Sequence, residues 1–308
     1  MNLQMTTDAP GDAVSQPIVP RTSRRKSRAQ HNTWFWAAVF LLPATIALIA
    51  MRIIPAVGAL REAIPLGSGQ DPWSVFSYLW ADPDFHNSLT VTLIFAVIVN
   101  PLQIALALAL AVVLTKHLPM VGLWRTLILL PVAVPQAVSA IIWLVIFRPD
   151  GPLNGILERF GISAVPWLTS PDFALTSIII VCSWVGVGYW MTFLVTGIKD
   201  IPESLYEASE LDGANNWKQF LHITVPGLRR PLLFVLVADT VSNFLVFAPI
   251  RIMTQGGPEG STNLIMNNIF ERAYTLGDTQ AASAATIVLV VIVIAVVAVQ
   301  FKLLPGKD

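Results

Sequence analysis

Hydrophobic residues crowd into six long runs, at 34–54, 89–115, 123–147, 174–197, 232–253 and 281–304, with shorter polar segments between them. A helix needs about 20 apolar residues to cross a bilayer, and each run meets that length. The pattern predicts an all-α integral membrane protein with a bundle of six spans. The third run carries Pro131 and Pro135, and the fifth carries Asp239, so these two are the least regular. Pro43, Pro101 and Pro249 also fall within or near spans. Prolines at membrane depth are tolerated where neighbouring helices or water satisfy the freed carbonyls, which suits a transporter better than a plain anchor.

Residues 1–33 break this pattern. They are polar and carry Arg21, Arg24, Arg25, Lys26 and Arg28, and they read as a disordered basic tail. A basic stretch before an apolar run also describes a signal peptide. Here the run is longer than a signal core of about 7–15 residues, and no small-x-small cleavage site follows it. A retained first span is expected.

The second break is 198–231, the most charged stretch between two spans. Asp200 is placed to cap a helix whose first turn holds Pro202 and Glu203. That helix runs through SLYEASELD to Gly213, a residue suited to a left-handed end. Asn215 or Asn216 can cap a second helix, NWKQFLHIT, ended by Pro226. Leu205, Ala208 and Leu211 share one face of the first helix, with Glu203, Glu207 and Glu210 beside it. Trp217, Phe220 and Leu221 form a stripe on the second. Such a hairpin could pack beneath the bundle or fit a groove on a cytoplasmic partner.

Composition agrees with the membrane class. The chain is 55% hydrophobic and 12% charged, about half the charge of a soluble domain. Net charge is zero, so no basic field suggests nucleic acid. The single cysteine, Cys182, excludes an intrachain disulfide. The four histidines are far apart in sequence, and no metal site is expected. With the N-terminus inside, 13 Lys and Arg residues fall in inner segments and 6 in outer ones. The positive-inside rule then places both termini and the 198–231 stretch in the cytoplasm.

Candidate chemistry within the spans is sparse. Asp239 and Asn243 are four residues apart and share a helix face. Asn100 and Gln103 lie on the second run, Gln136 and Ser139 on the third, and Ser183 on the fourth. Trp143, Trp184, Tyr189 and Trp190 add aromatic rings. Polar groups at this depth usually face the bundle interior or water. The pathway candidates are therefore Asn100, Gln103, Gln136, Trp184, Tyr189, Asp239 and Asn243, with interhelical hydrogen bonding and interfacial anchoring as the alternative roles.

Glu207-Ala208-Ser209, Asp212-Gly213-Ala214, Phe220, Ile223, Pro226 and Pro231 closely resemble the cytoplasmic loop motif of ABC-importer permeases. Ser209 is the one departure, where that pattern has a third small residue. Met253-Thr254-Gln255-Gly256-Gly257-Pro258, followed by Thr262, Leu264, Ile269, Ala273, Gly277 and Ala282–Ala285, is similar to the outer loop and last span of sugar permeases of the maltose and glycerol-3-phosphate types. The resemblance covers about 34–304. Phe247-Ala248-Pro249 departs from it, where that family often has an acid.

The resemblance implies the type I ABC importer permease fold over 34–304, in a bacterial or archaeal cytoplasmic membrane. It also implies a machine of two permeases, two ATPases and an external binding protein. Glu207, Ala208, Ser209, Asp212, Gly213, Ala214, Trp217 and Phe220 would then couple to the ATPase. Glu207 would pair with a basic group of the partner, and Asp212 would hold the turn by accepting backbone bonds. The chain has no GxxxxGK[ST] loop, so ATP and Mg would belong to the partner subunits. Sugar import is the expected function. The same machine carrying glycerol-3-phosphate, and more remotely an ion-coupled transporter, are the alternatives.

Overall fold

The structure is a computed structural model describing residues 26–64, 71–116 and 119–303, with side chains from Phe35 onward. Helices α1 (Lys26–Leu48) and α2 (Ile54–Ala63) are joined by a π turn, Ile49–Ile53. Helix therefore begins inside the segment read as a basic tail, and residues 1–25 of that reading lie outside the described residues. The chain divides into two units, one through Ala56 and one from Val57 onward. In the first unit, the apolar side chains from Phe35 on are exposed, as expected of a helix surface made for hydrocarbon.

In the second unit, α3 (Ser74–Ala81) precedes α4 (Pro83–Thr115). Asp82 caps α4, accepting from the Asp84 amide at 2.9 Å, and Pro83 takes the first turn. There follow α5 (Val121–Leu129), α6 (Gln136–Ile146), α7 (Pro152–Arg159) and α8 (Pro171–Lys199). The hairpin region holds α9 (Glu203–Leu211), α10 (Asn216–Gln219), a π turn Phe220–Thr224 and α11 (Val225–Gly227). The fifth span is α12 (Arg229–Phe244) with α13 (Ala248–Met253). Last come α14 (Ile265–Phe270), a π turn Glu271–Thr275 and α15 (Thr279–Leu303).

Helices α4 and α8 form the spine and run parallel. Val91, Phe95 and Val99 share a core with Ile178, Val181 and Cys182, while Ala107, Ala111 and Leu114 share another with Trp190, Met191 and Leu194. Both helices end on the side that carries the hairpin. Helix α15 packs through Ala281, Ala284 and Ala285 against Phe85, Phe244 and Ile265. Between helices in lipid there is little hydrophobic driving force, so close approach of small residues and polar links carry the association. The run of alanines serves that approach.

The third predicted span is not one helix. Val121–Ala133 and Gln136–Ile146 meet at 98°. Pro131 opens a 3-10 turn, Leu130–Ala133, and Pro135 stands just ahead of α6. Each removes a backbone donor and crowds the carbonyl four residues earlier. Val134 is extended (φ −88°, ψ 127°), as a residue before proline prefers. The pair still crosses the bundle. Arg125 near its start donates to the Leu114 carbonyl at the hairpin end of α4 (2.8 Å). Phe147 past its end lies against Trp167 with ring centroids 5.5 Å apart, and the Trp167 carbonyl accepts from Ser177 near the start of α8. Counted as one broken span, the pair brings the helices long and apolar enough to cross a membrane from five to six among the described residues. Gly188 lets it approach α8, because a Cβ there would collide with the Ile128 carbonyl.

Two details of the hairpin differ from the sequence reading. Asp200 ends α8, and Pro202 stands at the N-cap of α9 with no side-chain cap bond. Pro226 does not end the second helix. The helix widens into the π turn before it and continues to Gly227. A π turn also precedes Pro55, and in both places the wider turn relieves the clash a proline would impose.

Candidate functional site

The hairpin is built from its turn outward. Gly213 has φ +76°, a conformation that costs an L-residue about 1–2 kcal/mol. Its amide donates to the Glu210 carbonyl (3.0 Å), and that of Ala214 to Ser209 (2.9 Å). This pair of bonds is the Schellman arrangement that satisfies the last carbonyls of a helix. These backbone bonds close the turn at Gly213, the residue to which the sequence reading gave it. Asn215 then caps α10 by accepting from the Lys218 amide at 2.9 Å.

The two helices are tied side to side by polar bonds. Gln219 donates to Ser209 Oγ (3.0 Å), and the Tyr206 hydroxyl meets Thr224 Oγ1 (3.0 Å). Ser209, the departure from the family pattern, thus has a positive role in the hairpin. The apolar side chains point away from these ties. Leu211 is 91% exposed, Trp217 65% and Leu205 50%, and Trp217 stacks on the half-buried Phe220 with ring centroids 5.5 Å apart. Glu207, Ala208 and Asp212 are also exposed. The hairpin therefore carries exposed apolar side chains together with an exposed acid.

A second site lies where α4, α8 and α12 meet. The indole of Trp190 donates to Asp239 Oδ1 at 2.5 Å, and Asn243 donates to the same oxygen at 3.1 Å. Asn243 also donates to Asn100 Oδ1 at 2.7 Å. Asn100 donates to Thr240 Oγ1 at 3.1 Å, which further accepts from Gln300 on α15 at 2.7 Å. Gln103 reaches Ser183 Oγ at 3.5 Å. A cavity of about 190 Å³ adjoins this network, lined by Gln103, Gln136, Ser139, Tyr189, Trp190, Asp239 and Asn243 among others. Gly186 is part of that wall, and a Cβ there would come within 2.5 Å of Gln103 Oε1.

Two lining atoms have no hydrogen-bond partner among the described residues, Asp239 Oδ2 and Ser139 Oγ. A buried polar atom left so costs about 1–3 kcal/mol, and more when charged. Groups held at that cost are more readily explained by function than by packing.

Five of the seven pathway candidates line one cavity, and Asn100 joins them through the network. Trp184 does not. Its ring meets Trp143 edge-on at 5.8 Å beside a separate apolar groove of about 530 Å³. Sequence reading missed Thr240 and Gln300 as links in the network. Nothing in their spacing marks them, because their partners lie 140 and 60 positions away. It also missed the ion pair of Asp82 with Arg272, which Asn268 supports at 2.8 Å. Burial tends to raise the Asp82 pKa. The Arg272 hydrogen bond and charge, with the backbone bonds of Asp84 and Phe85, outweigh it and hold the carboxyl below its ordinary value. Among the described residues, no three His, Cys, Asp or Glu side chains gather into a cluster fit for a metal ion.

Residues 103–306 match the family of binding-protein-dependent transport system inner membrane components. The chain belongs to that family. This permease is 32% identical over 252 residues to the lactose transport system permease protein LacF of Rhizobium radiobacter, covering 78% of this chain and 83% of that one. It is 34% identical over 257 residues to the trehalose/maltose permease MalF of Thermococcus litoralis, with 81% and 87% covered. It is 32% identical over 274 residues to the sn-glycerol-3-phosphate permease UgpA of Agrobacterium fabrum, with 86% and 93% covered. A chain from the crystal structure of a bacterial ABC transporter for the acidic polysaccharide alginate superimposes with a TM-score of 0.81 at 21% identity. That match covers 91% of this permease and 99% of that chain. The fold is that of type I ABC importer permeases, and the protein is a multi-pass membrane permease subunit.

Proposed function

We propose that this permease imports a sugar delivered by an external binding protein, driven through the 202–224 hairpin by a partner ATPase. The observation that carries the coupling role is the exposure of Leu205, Leu211 and Trp217 on a hairpin whose turn is locked by backbone bonds. A rigid, uncovered apolar helix face is the form a groove on a partner accepts. Glu207 stands beside it for a charge-assisted bond to a basic group of the ATPase. Ala208, Ser209, Asp212, Gly213, Ala214, Trp217 and Phe220 complete the surface. ATP and Mg act in the two ATPase subunits. A second permease subunit completes the pathway in a bacterial or archaeal cytoplasmic membrane, with both termini cytoplasmic. ATPase closure moves the docked hairpin and tilts the spans, giving alternating access by rigid-body motion.

The sugar reading rests on the cavity, whose hydroxyl, amide and aromatic groups suit a polyol. The similarity to UgpA favours a second reading, glycerol-3-phosphate. A phosphate needs cationic contacts, and the charged group in the cavity wall is Asp239. A mild-detergent pull-down from native membranes, read by mass spectrometry, tests the assembly. An ABC ATPase and a second six-span permease are expected to come with this chain. Reproducible recovery of the folded chain alone would sink the coupling role.

A further inference from the structure

The unsatisfied atoms of the cavity restrict what can enter it. Asp239 is 1% exposed and Ser139 fully buried. Asp239 Oδ1 already accepts from Trp190 and Asn243, whereas Oδ2 and Ser139 Oγ have no partner among the described residues. Two donors therefore already converge on Oδ1, and Oδ2 is the acceptor left open among the described residues. Among the residues lining the cavity, Asp239 is the one Asp, Glu, Lys, Arg or His. The volume of about 190 Å³ is that of roughly six waters at about 30 Å³ each. It suits one sugar ring or the end of a longer chain, with Tyr189 and Trp190 offering ring faces.

We propose that this cavity is a charge-selective subsite for one sugar ring. Asp239 Oδ2 accepts a hydrogen bond from a hydroxyl or ammonium group of the solute, with Ser139 Oγ as a second contact, and carboxylated and phosphorylated sugars are rejected. A negative charge brought against Asp239, in a wall with no Lys, Arg or His among its lining residues, is strongly unfavourable. The inference rests on the sugar reading above and narrows it, since two of the similar proteins are transporters of anionic solutes.

Glucose, glucosamine and glucuronate share one ring and differ in charge, so they serve as probes. Binding is read by saturation-transfer NMR on the permease complex in lipid nanodiscs without the binding protein, whose own selectivity then does not enter. The complex should bind glucose and glucosamine at least about tenfold better than glucuronate. Asp239→Asn keeps the shape and removes the charge, and it should bring the glucuronate-to-glucose ratio close to one. Ser139→Ala should weaken glucose while leaving that ratio low. A purely structural Asp239 would lower all three probes together. Glucose binding with an unchanged ratio in Asp239→Asn would overturn the charge filter alone. No binding of any of the three sugars, in the native complex, would overturn the sugar reading and the subsite with it.

Discussion

Gly213 and Gly188 are both required, for different physical reasons. At Gly213 a Cβ would meet nothing within 4 Å, so the demand comes from φ +76° alone. Gly213→Ala should cost about 1 kcal/mol, seen as a small fall in the melting temperature of the purified permease. At Gly188 the backbone angle is ordinary, but a Cβ would strike the Ile128 carbonyl, which is backbone and cannot swing aside. Gly188→Ala should cost about 1–3 kcal/mol, a larger fall in the same melt. Gly155, on α7 with nothing within 4 Å, is the control, and Gly155→Ala should leave stability unchanged or raise it by about 0.4–1 kcal/mol. Sequence alone marks Gly213 through its place after a helix. It cannot mark Gly188, because the crowding atom belongs to another span.

At the scale of elements, the hairpin and the broken span show how far local signals reach. Gly213, Asn215 and the apolar spacing predict two short helices and a turn, and these form. The caps are less legible, because Asp200 is drawn into the end of α8 and the Pro226 break is absorbed by a π turn. If the hairpin transmits force, Glu207→Ala should reduce solute-stimulated ATPase activity in a reconstituted complex more than it reduces expression. Gly213→Pro should do so more strongly. Proline cannot adopt φ +76° and lacks the amide that donates to Glu210. Full coupling in both variants would remove the hairpin from the mechanism. In the third span, Pro131 and Pro135 are plain in the sequence, but a 98° bend needs neighbours to fill the space it opens.

Across the second unit, α4 is held at its start by the bond that Arg272 donates to Asp82, which links residues 190 positions apart. Asp82 titrates below its ordinary 3.8 in the folded protein. Such a group contributes stability that is fully present above the unfolded value and is lost as pH falls through the lower folded value. Thermal melts should therefore show an acid-dependent loss of stability below about pH 4. Asp82→Asn should weaken that acid dependence and lower stability at neutral pH. An unchanged pH profile in Asp82→Asn would show that this ion pair does not govern acid stability.

The sequence by itself determined the membrane class, the apolar runs, the hairpin and which polar residue types lie within the runs. These depend on run length, composition and local backbone preference, which neighbouring residues along the chain decide. The tertiary structure alone decided that Asp239, Asn243, Asn100 and Gln103 form one network while Trp184 stands apart. It alone showed that Oδ2 of Asp239 has no partner among the described residues and lies in a cavity wall. Such facts depend on which helix faces are brought together, and that is set by packing among α4, α8, α12 and α15 rather than by any one segment.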